Sequence, residues 1–170
     1  MKRLRVALLV VSDRASQGER ADKCEPAIRG FLEKRGQKLE DVTIVPDETG
    51  PIQKQLAEWT ARQGYDLVLT AGGTGVSPRD ITPEATRPLL ERQIPGIPEA
   101  MRSASMKITP YAALSRGLAG FRGRSMIINL PGSPKAAVEN LATIFDTLVH
   151  AIEKAQGDKS DCAPLPAGQE

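Results

Sequence analysis

The sequence is short of the residues that most often carry redox, zinc or acid–base chemistry. It has one histidine, one tryptophan and two cysteines in 170 residues. Cys24 and Cys162 lie far apart, with no CxxC pair. That excludes a disulfide framework, and His150 beside two distant thiols does not make a zinc ligand set. A single histidine placed on a helical segment supports neither a Ser-His-Asp nor a Cys-His nucleophile. Long apolar runs are missing near the N-terminus, where Val6–Val11 extends over only six residues. Such a run suits a buried strand and is too short for a signal peptide or a membrane span, which predicts a cytoplasmic protein. Strong net charge is missing as well. The value of +2 argues against a nucleic-acid binder, which carries a dense basic stripe.

What is present is an alternation of strand and helix. Val6–Val11, Val42–Val45, Leu67–Thr70 and Met126–Leu130 read as strands, the first and last as runs covered on both faces. Between them fall helical patterns. Asp22 caps a helix to about Arg35, with Glu25 at the capping-box position. Ile52–Arg62 carries Ile52, Leu56 and Trp59 on one face. Thr82-Pro83-Glu84 reads as cap, first helical position and first-turn acid, with Pro88 limiting that helix. Residues 94–125 are punctuated by Pro and Gly, with short helices near Pro98–Met106 and Pro110–Ser115. A long amphipathic helix runs from Pro134 to about Gln156, with Val138, Leu141, Phe145, Leu148 and Ile152 as its apolar face. The pattern predicts a three-layer α/β/α sandwich with a mostly parallel central sheet. Residues 1–156 form one domain on this reading, and 157–170 a frayed tail.

In such sheets ligands bind beyond the carboxyl ends of the strands, near a topological switch point. Four polar loops fall there: Ser12-Asp13-Arg14, Asp47-Glu48, Gly72–Asp80 and Pro131–Pro134. Gly72, Gly73, Thr74 and Gly75 form a turn whose N–H groups suit an anion nest. No Lys follows in the Walker position, and Pro78 stands where a dinucleotide fingerprint needs glycine, so the turn matches neither motif. A carboxylate beside a phosphate nest repels its ligand unless a cation sits between them. Asp47 and Asp80 are therefore candidate Mg²⁺ ligands, held against an alternative in which Asp80 caps its turn or pairs with Arg79. Pro131, Gly132 and Pro134 open the long helix, where N–H groups and the helix dipole favour an anion, and Lys135 adds charge. Residues 79–124 hold eight Lys/Arg against four Asp/Glu, an excess that suits a small anionic ligand.

The segments VSDRASQG, VPDE, LVLTAGGTGVSPRDITPEAT and INLPGSPKA resemble the molybdenum-cofactor biosynthesis proteins of the molybdopterin adenylyltransferase type. The four motifs keep that family's order and spacing, and the resemblance covers about residues 4–155. It implies a trimeric α/β enzyme that takes ATP and molybdopterin as substrates. With Mg²⁺ it adenylylates the terminal phosphate of molybdopterin and releases pyrophosphate. Residue by residue, it implies that Asp47 and Asp80 are catalytic and bind the metal. Ser12, Gly72, Gly73, Thr74, Gly75, Pro131, Gly132 and Pro134 match substrate-binding positions. It further implies contact with a downstream metal-insertion protein, and no nucleic-acid or membrane partner. Two other readings stay open: a non-catalytic molybdopterin carrier of a sister branch, and a nucleotide-phosphate hydrolase using the same rim.

Overall fold

The computed structural model describes residues 3–159; Cys162 and the rest of the expected tail beyond 159 lie outside the described residues. Six strands form one sheet in the order β2-β1-β3-β6-β5-β4. They are β1 (Arg5–Val11), β2 (Lys38–Val45), β3 (Leu67–Ala71), β4 (Arg92–Gln93), β5 (Ala119–Arg122) and β6 (Ser125–Leu130). The first four in spatial order run parallel, whereas β5 pairs antiparallel with β6, and β4 antiparallel with β5, at one edge. Those two strands were not expected. Gly120 explains their weak signal: a Cβ there would stand 3.1 Å from the Cα of Gln93, so the strand gives up a side chain for close approach.

The helices are α1 (Asp13–Ser16), α2 (Cys24–Lys34), α3 (Thr49–Ala57), α4 (Thr82–Thr86), α5 (Gly96–Met106) and α6 (Pro134–Ala155). Alternation in β1 sends Val6, Leu8 and Val10 to a core shared with α2, α5 and α6. Ala7, Leu9 and Val11 enter the opposite core with Ile52, Leu56, Trp59 and Ala85 from α3, α4 and the turn between α3 and β3. Both faces are covered, which is the three-layer arrangement. The long helix keeps Leu141, Phe145, Leu148 and Ile152 buried, as its spacing predicts. Val138 is only half-buried, and Ala137, Ile144 and Val149 complete the stripe. Each large apolar side chain so buried contributes roughly 1.5–3 kcal/mol.

Local expectations are refined at five places. Thr82 is the first helical residue, with Ile81 at the cap position. Glu25 pairs with Arg29 one turn on, while Asp22 itself accepts from the Cys24 and Glu25 N–H groups at 3.0 and 2.7 Å. The third helix starts at Thr49 and gives way to a π-helical turn over Glu58–Gln63, which carries the fully buried Trp59. Pro88 falls in a 3₁₀ turn, Arg87–Leu89, after α4 has ended. The expected helix near residue 110 is likewise a 3₁₀ turn, Pro110–Leu114.

Candidate active site

The chain leaves β1 for β2 on one side and returns to β3 on the other, so the switch point lies above β1 and β3. A cavity of about 240 Å³ opens there. Ser12, Asp47, Gly72, Gly73, Asp80, Gly132 and Pro134 line it, joined by Arg20, Asp22, Lys23 and Cys24 from the connection into α2. Thr74 and Gly75 continue the glycine turn outside the lining: Thr74 is 5% exposed, and a Cβ on Gly75 would meet Asp80 Oδ2 at 2.9 Å. Pro131 lines a second, largely apolar cavity of about 230 Å³ between α5 and α6.

The glycine turn depends on its lack of side chains. Gly72 and Gly73 have φ of +111° and +63°. A Cβ on Gly72 would overlap the Val11 carbonyl oxygen, and one on Gly73 the Thr82 hydroxyl. Thr82 ties the turn down instead: its N–H donates to Gly73 O at 3.0 Å and its hydroxyl to Gly72 O at 2.9 Å. Behind it lies a buried polar chain. Thr86 donates to Thr82 O at 2.8 Å, and the Asn129 amide donates to both Thr86 and Thr70 hydroxyls at 3.0 Å. Asn129 Oδ1 accepts from the Leu118 N–H at 3.1 Å. Every member has partners, as burial demands. The N–H groups of Gly73, Thr74 and Gly75 donate no hydrogen bond among the described residues, which leaves them for an anion.

The carboxylates are positioned by their loops. Asp80 Oδ2 accepts from the Ser77 N–H at 2.8 Å, closing the turn that precedes it. Arg116 holds the outside of this loop through the carbonyls of Gly75, at 2.6 Å, and Asp80, and through the Glu84 carboxylate. Asp47 Oδ2 accepts from the Asp13 N–H at 2.9 Å, while the Asp47 N–H donates to Asp13 Oδ1 at 3.0 Å. Burial raises the Asp47 carboxyl above its ordinary range, and the charges of Asp13 and Asp80 add to this against the Asp13 N–H bond. Asp13 is lowered, chiefly by its bidentate pair with Arg79 at 2.7 and 2.9 Å. Arg79 thus pairs with Asp13 rather than with its neighbour Asp80.

The basic excess noted in the sequence does not face this cavity. None of its eight residues lines it. Arg79, Arg116, Arg102 and Arg92 are engaged with Asp13, Glu84, Ser115 O and Gly123 O. Guanidinium groups here hold loops in place, and the cations at the cavity are Arg20 and Lys23. Lys135 reaches Glu139 at 3.9 Å and is exposed. Asp13 was named only as part of a rim loop and Thr82 only as a helix cap, and neither they nor Arg20 and Lys23 were singled out as site residues. Only Asp13 carried a signal, as the residue after Ser12 at a strand's carboxyl end. Cys24 looked ordinary, yet its Sγ lies 3.3 Å from Gly132 O at the cavity wall, and burial pushes the thiol up to about 11. Of the three carboxylates lining the cavity, Asp22 is committed to the start of α2, and Asp47 and Asp80, with no group of three potential metal ligands among the described residues, fit a hard cation that takes its other ligands from phosphate and water. No helix of the described residues is long and apolar enough to cross a membrane.

Residues 7–151 match the family described as "Probable molybdopterin binding domain". A molybdopterin adenylyltransferase of Haemophilus influenzae is 43% identical over 148 residues, 84% of this chain and 74% of that protein. Gephyrin of Dictyostelium discoideum is 43% identical over 86% of this chain, which spans only 22% of that longer protein. The crystal structure of the molybdopterin biosynthesis enzyme MoaB from Thermus thermophilus superimposes with a TM-score of 0.86 at 50% identity, covering 91% of this chain and 98% of that one.

Proposed function

Since the chain belongs to the molybdopterin-binding domain family, we propose that it is a molybdopterin adenylyltransferase acting in molybdenum cofactor biosynthesis. Its substrates are ATP and molybdopterin, and residues 1–156 form the one domain that binds them. One observation carries the reading: a glycine turn, with Gly72 and the uncommitted Gly73 N–H in the wall, and two carboxylates from separate loops meet at one cavity.

An oxygen of the molybdopterin phosphate attacks the α-phosphorus of ATP. The bond from that phosphorus to the bridging oxygen breaks, and pyrophosphate leaves with the electron pair. Because the attacking oxygen is already anionic, no strong general base is needed. His150 lies roughly 24 Å along α6 from its N-terminus and takes no part. The N–H groups of Gly73, Thr74 and Gly75, with the start of α6, hold phosphate oxygens. Ser12, Gly132 and Pro134 shape the neighbouring wall, and Pro131 holds the turn behind it, facing the second cavity. Arg20 and Lys23 supply the positive charge that a Walker lysine provides elsewhere. Asp47 and Asp80 hold Mg²⁺, which when bound offsets the negative charge of the α-phosphate and the leaving group. Rate enhancement comes from positioning and electrostatics.

The test is incubation with molybdopterin and MgATP, followed by mass analysis for the adenylylated product. Asp80→Asn lowers turnover at least about 10²-fold, about 2.7 kcal/mol in barrier, with the fold intact. Asp47→Asn loses mainly the MgATP-dependent step. Near-normal adenylylation by Asp80→Asn removes Asp80 from the mechanism. Pterin binding without nucleotide binding points to a carrier, and pyrophosphate release without pterin to a hydrolase.

The assembly we propose is a cytoplasmic homotrimer. Met106, Ile108, Tyr111 and Leu114 expose apolar surface in one stretch, with Tyr111 78% exposed. A patch of this kind marks a protein contact. The finished product then passes to a metal-insertion protein, without nucleic acid or membrane.

A further inference from the structure

Asp13 and Arg79 sit outside the cavity, yet they join the two loops whose carboxylates face it. Asp13 is the first residue of α1, fixed there by the Ser12 cap, whose hydroxyl accepts from the Ala15 N–H at 3.2 Å. Its N–H and its carboxylate both engage Asp47, one at the side chain and one at the main chain. That two-point grip sets where the Asp47 carboxylate stands. The guanidinium of Arg79 docks as a fork on the same Asp13 carboxylate. Arg79 is the chain neighbour of Asp80, whose loop is held from the other side by Arg116. Directional bonds therefore run from Asp47 through Asp13 to Arg79, and the main chain carries the linkage from Arg79 to Asp80.

We propose that Asp13 and Arg79 form a brace that fixes the spacing of Asp47 and Asp80 and so sets their affinity and selectivity for a divalent cation. This rests on the reading of Asp47 and Asp80 as cation ligands. Two like charges at one cavity tend to splay apart, and a brace outside the cavity resists that without occupying ligand space. Mg²⁺ requires near-octahedral oxygen ligation, whereas Ca²⁺ accepts looser and more variable shells. A slackened pair loses Mg²⁺ more than Ca²⁺. The opposing view is that Arg79–Asp13 is an ordinary surface ion pair, since the two side chains are 59% and 31% exposed. Such pairs add little to stability, so removing this one leaves a folded protein and a clean measurement.

The experiment uses the full chain as wild type, Arg79→Ala, Asp13→Asn and the double variant. Mn²⁺ binding in the presence of ATP is followed by electron paramagnetic resonance. Competition by Mg²⁺ and by Ca²⁺ is measured alongside, and thermal melts check folding. Each single variant raises the Mn²⁺ dissociation constant about tenfold, as loss of supporting contacts does at metal sites. The preference for Mg²⁺ over Ca²⁺ narrows, and melting temperatures stay within about 3 °C of wild type. The double variant is no worse than the weaker single, because both substitutions cut the same linkage. Arg79→Ala with Mn²⁺ affinity within about twofold of wild type overturns the brace, and so does an additive double variant, which places Arg79 directly on the nucleotide. A wild type that takes up no Mn²⁺ with ATP overturns the cation reading of Asp47 and Asp80, and the brace with it.

Discussion

Replacing Thr82 with Val changes one hydroxyl into a methyl at a fully buried position. In the native fold that hydroxyl donates to Gly72 O at 2.9 Å, inside the turn that follows β3. Loss of the bond costs about 1 kcal/mol, and a carbonyl left without its partner in the interior costs a further 1–3 kcal/mol. The new methyl group also stands closer to that oxygen than carbon contacts allow, so the turn must shift. The sum is about 2–4 kcal/mol. For a chain of 170 residues that lowers the melting temperature by about 4–16 °C. Thr82→Ser keeps the hydroxyl and removes one methyl, at about 1 kcal/mol. Calorimetry on wild type and both variants, with urea titrations to check that m is unchanged, makes the comparison. The reasoning fails if Thr82→Val lies within about 0.5 kcal/mol of wild type, or if Thr82→Ser is as unstable as Thr82→Val. The second result would mean that the methyl group contributes as much as the hydroxyl, so the bond to Gly72 O would not be what sets this position apart.

Gly72→Ala collides with the main chain of Val11 and loses at least about 3 kcal/mol by denaturant titration. Gly123→Ala, with φ +56° and open space around it, costs about 1–2 kcal/mol, and equal losses would refute the steric account. In a Cys162→Ser background, Cys24 reacts with a disulfide reagent at pH 8 about 100-fold more slowly than a free thiol. A thiol pushed up to about 11 is nearly all protonated there, and the rate rises steeply as pH approaches that value. An Ile108→Asp, Tyr111→Asp variant sediments as a monomer if the exposed apolar stretch holds the assembly together; an unchanged sedimentation coefficient moves the contact elsewhere.

The sheet was legible where burial on both faces forces unbroken apolar runs, as at Val6–Val11 and Met126–Leu130. It was illegible at β4, where two exposed residues pair with a glycine-containing strand and no periodicity can accumulate. Thr82 shows why local rules mislead near a site. Thr before Pro-Glu has the composition of a cap, but its hydroxyl is claimed by a turn ten residues earlier, and Ile81 takes the cap position. Asp47 and Asp80 were readable because they sit in the loops that follow β2 and β3, on the side where such sheets bind ligands. Arg20 and Lys23 were not, since the connection from α1 to α2 has no period that says which side chains turn inward. The basic excess after residue 79 misled for the opposite reason: charge counted along a chain carries no direction, and these guanidinium groups turn toward loops.

At Gly132 a Cβ would stand 3.2 Å from the Gly72 Cα, so two turns from different strands meet main chain to main chain beside the Val11 carbonyl. That part of the cavity is built of peptide groups, and its shape is the same whatever side chains the rest of the chain carries. Substitution cannot reshape it by degrees, because the smallest added group forces strand ends apart. Any drift in ligand preference on this scaffold must therefore come through the surrounding wall, where Arg20, Asp22 and Lys23 lie on a connection free of the sheet. The floor resists substitution, and the wall is where this scaffold has room to vary.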